Sequence, residues 1–257
     1  LLTGVMSKMG VYGFLRLWLP IFPEQIRQVL SLLLWMSVAT IVLSACAALA
    51  QKDWKRMLAY SSINHLGYCL LAMFAAASVA TGVTASDIQK SAALDGALLQ
   101  MFNHGLTASA LFLFVALIEK RSGGLRGLDD FGGLRKVVPV FTGLMGIALF
   151  SSLGLPGLNG FVGEFLIFKG VFPLAPWAVA ISTIGILVTA IFLLTLIQRV
   201  FCGPLNDRWA TFPDLTTRER WLVVPSISLM FILGIWPQFI LGKIDATVVT
   251  LVQHLNF

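Results

Sequence analysis

The chain has 257 residues, of which 58% are hydrophobic and only 12% charged, with a formal net charge of +6. An ordinary soluble domain carries roughly a quarter charged residues, so water is excluded as the main solvent, and a soluble redox enzyme or nucleic-acid-binding module is excluded with it. An integral membrane protein remains, in which the excess of cations is read by position along the chain.

A hydrocarbon core of roughly 30 Å takes about 20 apolar residues in a helix. The sequence predicts such spans over 1–19, 28–50, 57–78, 94–118, 137–172, 176–201 and 221–241, followed by a tail over 242–257. The predicted fold is therefore an all-α integral membrane domain over 1–257 with seven transmembrane helices.

The first span opens on Leu1-Leu2-Thr3-Gly4, with no initiator Met, basic leader or cleavage pattern. Its helix is already in progress, which reads as the C-terminal part of a longer polypeptide. Lys8 lies about 16 Å from the outer end of this span at 1.5 Å per residue. Between the second and third spans, Gln51-Lys52-Asp53-Trp54-Lys55-Arg56 reads as a tight cationic turn that either loads protons or sets topology, with topology preferred. The third span carries Tyr60-Ser61-Ser62-Ile63-Asn64-His65 and the fourth Phe102-Asn103-His104-Gly105. The two histidines fall about 12 and 15 Å from the starts of their spans. The glycine-rich stretch from Glu119 to Lys136 has mixed charge and no phosphate-binding spacing, and is predicted to be a solvated connector.

The fifth span is too long for a plain crossing and is interrupted by Gly154-Leu155-Pro156-Gly157-Leu158-Asn159-Gly160. Two half-helices meeting inside the membrane are predicted there. Glu164 follows the break. Lys169 is about 140° further round the helix and is predicted to snorkel to the interface.

The cations fall on two sides. Lys52, Lys55, Arg56, Lys120, Arg121, Arg126, Arg135, Lys136, Arg199, Arg208, Arg218 and Arg220 belong to the second, fourth and sixth loops with their helix ends; Arg16, Arg27, Lys90 and Lys243 belong to the opposite side. The positive-inside rule then predicts cytoplasmic even loops and an outer C-terminus. Trp18, Trp54, Trp177, Trp221 and Trp236 fall near predicted helix ends, as an interfacial aromatic belt does. Cys46, Cys69 and Cys202 lack the paired spacing of a metal or redox site and are read as packing residues. No nucleotide, flavin, haem or iron–sulfur motif is present.

Placing an ionisable side chain at mid-bilayer costs at least about 2.5–3.5 kcal/mol on insertion scales. Lys8, His65, His104 and Glu164 all come out at that depth, forming a layer in the membrane plane rather than a file along its normal. Lys, His and Glu exchange protons near neutrality once burial has shifted their acidities. A backbone break is tolerated only where protein or water satisfies its freed groups, so Glu164 is predicted to meet water. A lateral proton relay through these four residues follows.

The runs Ser7-Lys8-Met9-Gly10-Val11-Tyr12-Gly13-Phe14-Leu15-Arg16, Gln51 to Ser62, Asn64-His65-Leu66-Gly67, Asn103-His104-Gly105-Leu106 and Leu153 to Phe165 resemble, in order and along almost the whole chain, the antiporter-like subunits of respiratory complex I. Within that family the carboxylate at Glu164 resembles the M-type (chain 4) branch of NADH:quinone oxidoreductase, since the L- and N-type branches typically carry lysine there. The resemblance implies a fourteen-helix subunit built from two inverted five-helix repeats, each with one broken helix. This chain would hold helices eight to fourteen, with 1–19 as the last helix of the first repeat, 28–201 as the second repeat and 221–241 as the C-terminal helix. Lys8 then matches the connecting lysine, His65 and His104 the central histidines, and Glu164 the group at the outward exit. The family's input pair of glutamate and lysine belongs to the first repeat, and Lys169 adds a cation that the M-type pattern does not carry.

The same resemblance implies a non-redox subunit of a proton-translocating enzyme in a bacterial inner membrane, among L-, N- and K-type neighbours and lipid. NADH, flavin, iron–sulfur clusters and quinone would belong to partner subunits, with no cofactor, metal or nucleic acid on this chain. The resemblance extends to D-type subunits of multisubunit sodium/proton antiporters, which carry a carboxylate at the same place, and to membrane subunits of hydrogenases and formate hydrogenlyases.

Overall fold

The computed structural model describes residues 2–78 and 87–255, with side chains to residue 253. Among them the chain is helical, with no β-structure beyond a bridge between Asp53 and Gly127. The first helical run passes from a π-helical turn (Leu2–Met6) into α1 (Lys8–Gly13), a second π-helical turn (Phe14–Trp18) and a last turn, α2 (Leu19–Ile21). Pro23 separates it from α3 (Pro23–Leu49). Proline has no amide hydrogen to give the preceding helix, and its fixed φ suits a first turn, so α3 begins earlier than the predicted 28.

Asp53 caps α4 (Trp54–Ala77), its carboxylate accepting from the amides of Lys55 at 2.8 Å and Arg56 at 3.1 Å. Next, α5 (Asp87–Ser122) overruns its predicted span at both ends. The predicted fifth span is indeed two helices, α6 (Pro139–Ser152) and α7 (Asn159–Val171). The end of α6 closes with the Gly154 amide on the Ser151 carbonyl and the Leu155 amide on the Phe150 carbonyl. This paired closure needs a left-handed residue between helix and exit, which Gly154 supplies at φ 80°. Then come α8 (Pro176–Leu196), running on into a π-helical turn (Ile197–Phe201), and α9 (Thr217–Ile235). A reciprocal Thr216–Glu219 capping box opens α9.

Two sequence expectations need correction. Residues after 241 do not form a tail: Pro237 turns the chain through 63° into α10 (Gln238–Leu255). The turn is held there by Val248 and Val252, one helical turn apart and both fully buried. Residues 256–257 lie outside the described residues. Nor is the stretch after α5 a solvated connector. The Trp54 amide donates to the Arg126 carbonyl and the Leu128 amide to the Lys52 carbonyl, while Leu128, Phe131 and Leu134 are buried in the core. Burying three large apolar side chains is worth about 1.5–3 kcal/mol each, which outweighs the loop's polar composition.

By length and composition, Pro23–Leu49, Asp87–Ser122 and Pro176–Phe201 are each able to cross a membrane, as is the bent pair of α9 and α10 taken together. With that apolar content the chain is an integral membrane protein. Helix α4 is long enough to cross, but Ser61, Ser62, Asn64 and His65 lower its hydropathy.

Those polar residues occupy a definite level. One apolar core gathers Trp54, Met57 and Leu58 of α4 with Ala110, Leu111, Phe114 and Ile118 of α5 and much of α6. A second gathers Tyr68 to Ala77 of α4 with Ala93, Leu94 and Ala97 of α5 and Ile167 and Val171 of α7. Between them lie Ser61 to His65, Gln100 to Thr107, and the break between α6 and α7. The polar layer is thus closed above and below by packed hydrocarbon.

Candidate functional site

All four sequence-predicted residues come together in this layer, each less than a tenth exposed: Lys8, His65, His104 and Glu164. The Lys8 ammonium donates to the Thr3 carbonyl at 2.7 Å and lies 3.0 Å from His104 Nδ1, where it also donates if that nitrogen is unprotonated. His65 Nδ1 is 2.9 Å from Glu164 Oε1, and its Nε2 is 3.1 Å from Ser152 Oγ. The two imidazoles meet edge to face with centroids 5.1 Å apart. The order in space is Lys8, His104, His65, Glu164.

Local sequence fixes this order through close helix approaches. A Cβ on Gly4 would run into Ser109 and the Gly105 carbonyl, and one on Gly105 would lie 2.8 Å from the Gly4 carbonyl oxygen. The two glycines therefore let the Lys8-bearing helix sit against α5. In the α5–α7 seam a Cβ on Gly96 would lie 2.6 Å from the Ile167 amide nitrogen, and one on Gly170 would collide with the Ala93 backbone. That seam brings Glu164 against α5, where Gln100 Nε2 donates to Glu164 Oε1 at 3.2 Å.

The break has its own support. Asn103 Nδ2 donates to the Asn159 carbonyl at 2.7 Å, Asn159 Nδ2 donates to the Asn103 carbonyl at 3.3 Å, and Ser151 Oγ donates to Asn159 Oδ1 at 2.5 Å. Thr107 Oγ1 lies 3.1 Å from Ser151 Oγ and extends the network along α5. A buried amide left unpartnered costs about 1–3 kcal/mol, so this reciprocal pairing stabilises a discontinuity that hydrocarbon alone would not tolerate. Beside it, His65, His104, Ser61, Ser62, Thr107 and Ser152 line a cavity whose water-accessible volume is about 20 Å³. That is room for about one water molecule, which needs two to four polar partners.

Sequence reasoning quoted Asn103 and Asn159 within their motifs but gave them no role, and it passed over Gln100, Thr107, Ser151 and Ser152. Part of the signal was present: Gln100, Asn103, His104 and Thr107 follow the i, i+3, i+4, i+7 spacing of one helical face. It also passed over Asp95, a second carboxylate inside the predicted 94–118 span, which is half-buried with Oδ1 lacking a hydrogen-bond partner among the described residues. Lys169 is exposed, in keeping with a side chain that leans away from the cluster. Among the described residues no group of three or more His, Cys, Asp or Glu side chains is arranged to hold a metal ion. An amine on one imidazole and a carboxylate on the other, with the two rings in contact, are groups equipped to take up and pass on protons.

Comparison with known proteins supplies a context for that chemistry. Residues 1–191 match the family described as "NADH:quinone oxidoreductase/Mrp antiporter, TM". The chain is 35% identical over 256 residues to NADH-quinone oxidoreductase subunit M of Rhodobacter capsulatus, covering 99% of this chain and 47% of that protein. It therefore spans about half the length of the curated relatives it matches. Its fold is similar to a chain of respiratory complex I from Thermus thermophilus with bound NADH, at a TM-score of 0.88 and 26% identity over 98% of this chain and 50% of that one. It is also similar in fold to a chain of the Mrp complex from Dietzia sp. DQ12-45-1b, at a TM-score of 0.80 and 17% identity, covering 98% of this chain and 54% of that chain.

Proposed function

The chain belongs to the NADH:quinone oxidoreductase/Mrp antiporter transmembrane family, and from that premise we propose that it is the proton-relaying part of an M-type membrane subunit of a complex I-type NADH:quinone oxidoreductase. Seven crossings, with helices corresponding to eight to fourteen of the full subunit, complete this reading. The second repeat lies over 28–201, the even loops are cytoplasmic and the C-terminus is on the outer side of a bacterial inner membrane. L-, N- and K-type subunits are its neighbours, and NADH, flavin, iron–sulfur clusters and quinone belong to other subunits.

The observation that carries the proposal is the buried sequence of contacts from Lys8 to His104 and from His65 to Glu164. A proton leaves the Lys8 ammonium for His104. Imidazole accepts at one ring nitrogen and releases from the other, so His104 passes a proton on without keeping a net charge. The Ser152 hydroxyl and a water in the adjoining cavity span the gap to His65, whose Nδ1 faces Glu164 Oε1. The transfers from Lys8 to His104 and from His65 to Glu164 are over hydrogen-bond distance, the range general acid–base chemistry requires, and the step between the two histidines passes through the hydroxyl and the water.

The test is proton translocation per electron transferred in vesicles holding the assembled complex with the full-length subunit. Lys8→Ala and His65→Ala each lower that ratio by several-fold if the contacts form one route; an unchanged ratio in both refutes it. The family description and the Mrp fold likeness favour one second reading, a D-type antiporter subunit. In that case translocation requires sodium and proceeds without NADH-oxidising partners.

A further inference from the structure

Glu164 is not held symmetrically. Among the described residues both polar side chains that reach it, His65 Nδ1 at 2.9 Å and Gln100 Nε2 at 3.2 Å, converge on Oε1. Its other oxygen, Oε2, faces the break: a Cβ on Gly154 would lie 3.0 Å from it. Gln100 is itself buried at 2% exposure, in the glycine-built seam between α5 and α7. A Cβ on Gly163 would collide with Gln100 Oε1, so the glycine one residue before Glu164 makes the space that the amide fills. Gln100 Oε1 has no hydrogen-bond partner among the described residues. Turning the amide over would set its oxygen against the ionised carboxylate of Glu164, a repulsive contact, so the donor end faces Oε1 whenever Glu164 is charged.

We infer that Gln100 is a positioning residue for the relay: it holds the Glu164 carboxylate in the one orientation that presents Oε1 to His65 and Oε2 to the Gly154 break. A carboxylate at the end of a flexible side chain turns freely unless a second donor fixes it. His65 alone would permit rotation about the shared contact, whereas two donors from α4 and α5 on one oxygen define the plane. Backbone packing keeps Gln100 from following Glu164 if it turns. A hydrogen bond to a charged acceptor biases such an orientation by about tenfold or more. The inference rests on the proposed relay for its consequence, but its geometry is readable without any pumping assay.

The experiment uses the assembled complex with the full-length subunit. Difference infrared spectra identify the Glu164 carboxyl stretching band by its loss in Glu164→Gln. Gln100→Met keeps the length of the side chain and removes the donor, and Gln100→Leu serves as a second variant if the first assembles poorly. Loss of the donor moves the Glu164 band to higher frequency in both variants and lowers proton translocation per electron by about tenfold. A band that stays in place while Glu164→Gln still abolishes it overturns the inference, as does an unchanged translocation ratio alongside a normal response to Glu164→Gln. If instead the band moves but Glu164→Gln pumps normally, the positioning geometry is upheld and the relay reading itself is what fails.

Discussion

Lys8 Nζ lies 3.0 Å from His104 Nδ1 although 96 positions separate the two residues. The contact depends on Gly4 and Gly105, whose missing side chains set the separation of the two helices.

Gly105→Ala should therefore break that contact. The added Cβ meets the Gly4 carbonyl oxygen, a backbone atom that cannot swing aside, so the helices must part. Overpacking of this kind costs about 1–3 kcal/mol. The expected outcome in the assembled complex is a lower unfolding temperature together with reduced proton translocation. Gly10→Ala is the control, because nothing lies within 4 Å of the Cβ it adds, and both readouts should stay near the parent's.

Asn159→Leu should destabilise the break more than it alters any single helix. It removes both the donor to the Asn103 carbonyl and the acceptor for Ser151 Oγ, and each buried group left unpaired costs about 1–3 kcal/mol. Hydrogen exchange should accelerate in residues 151–163 and stay unchanged in the α8 helix. Uniform protection across both regions would contradict the view that this amide supports the break.

Much of this architecture was legible in the sequence, for identifiable reasons. The break between α6 and α7 announces itself through Gly154, Pro156 and Gly157, three helix-disfavouring residues within four positions. Lys8, His65, His104 and Glu164 stand out because each carries an ionisable group in an apolar run. Gln100 and Ser152 did not stand out, since a single neutral polar residue in such a run is as often a satisfied packing group, and only the facing helix decides which. The fold of α10 was hidden for another reason: Lys243, Asp245 and Thr247 make the region after Pro237 look like a tail, and Val248 and Val252 acquire meaning only against the α5 side of the bundle. The π-helical turns around Lys8 leave no mark in the sequence.

The Asp53 region should behave as structure and not as part of the proton route. Asp53 caps α4 and lies 3.4 Å from Arg126, while Lys55 pairs with Glu119 at 2.9 Å. These groups are partly exposed, so the ion pairs are each worth about 1 kcal/mol or less, whereas loss of the cap costs about 1 kcal/mol. Asp53→Ala should raise protease sensitivity over 123–136 and leave the proton-to-electron ratio unchanged. A changed ratio with normal protease resistance would place Asp53 on the route.

The central claim, that Glu164 ionises as it relays protons, is tested most directly by the proton-to-electron stoichiometry of reconstituted vesicles carrying Glu164→Gln or Glu164→Asp in the intact subunit, each checked for assembly. Glutamine keeps the size and hydrogen bonding of the side chain but cannot ionise, whereas aspartate ionises but is shorter. The account predicts that the Gln variant loses translocation per electron while the Asp variant retains part of it. A Gln variant that pumps normally beside an impaired Asp variant would contradict it, because that ordering is what a packing residue gives when a shortened side chain opens a gap.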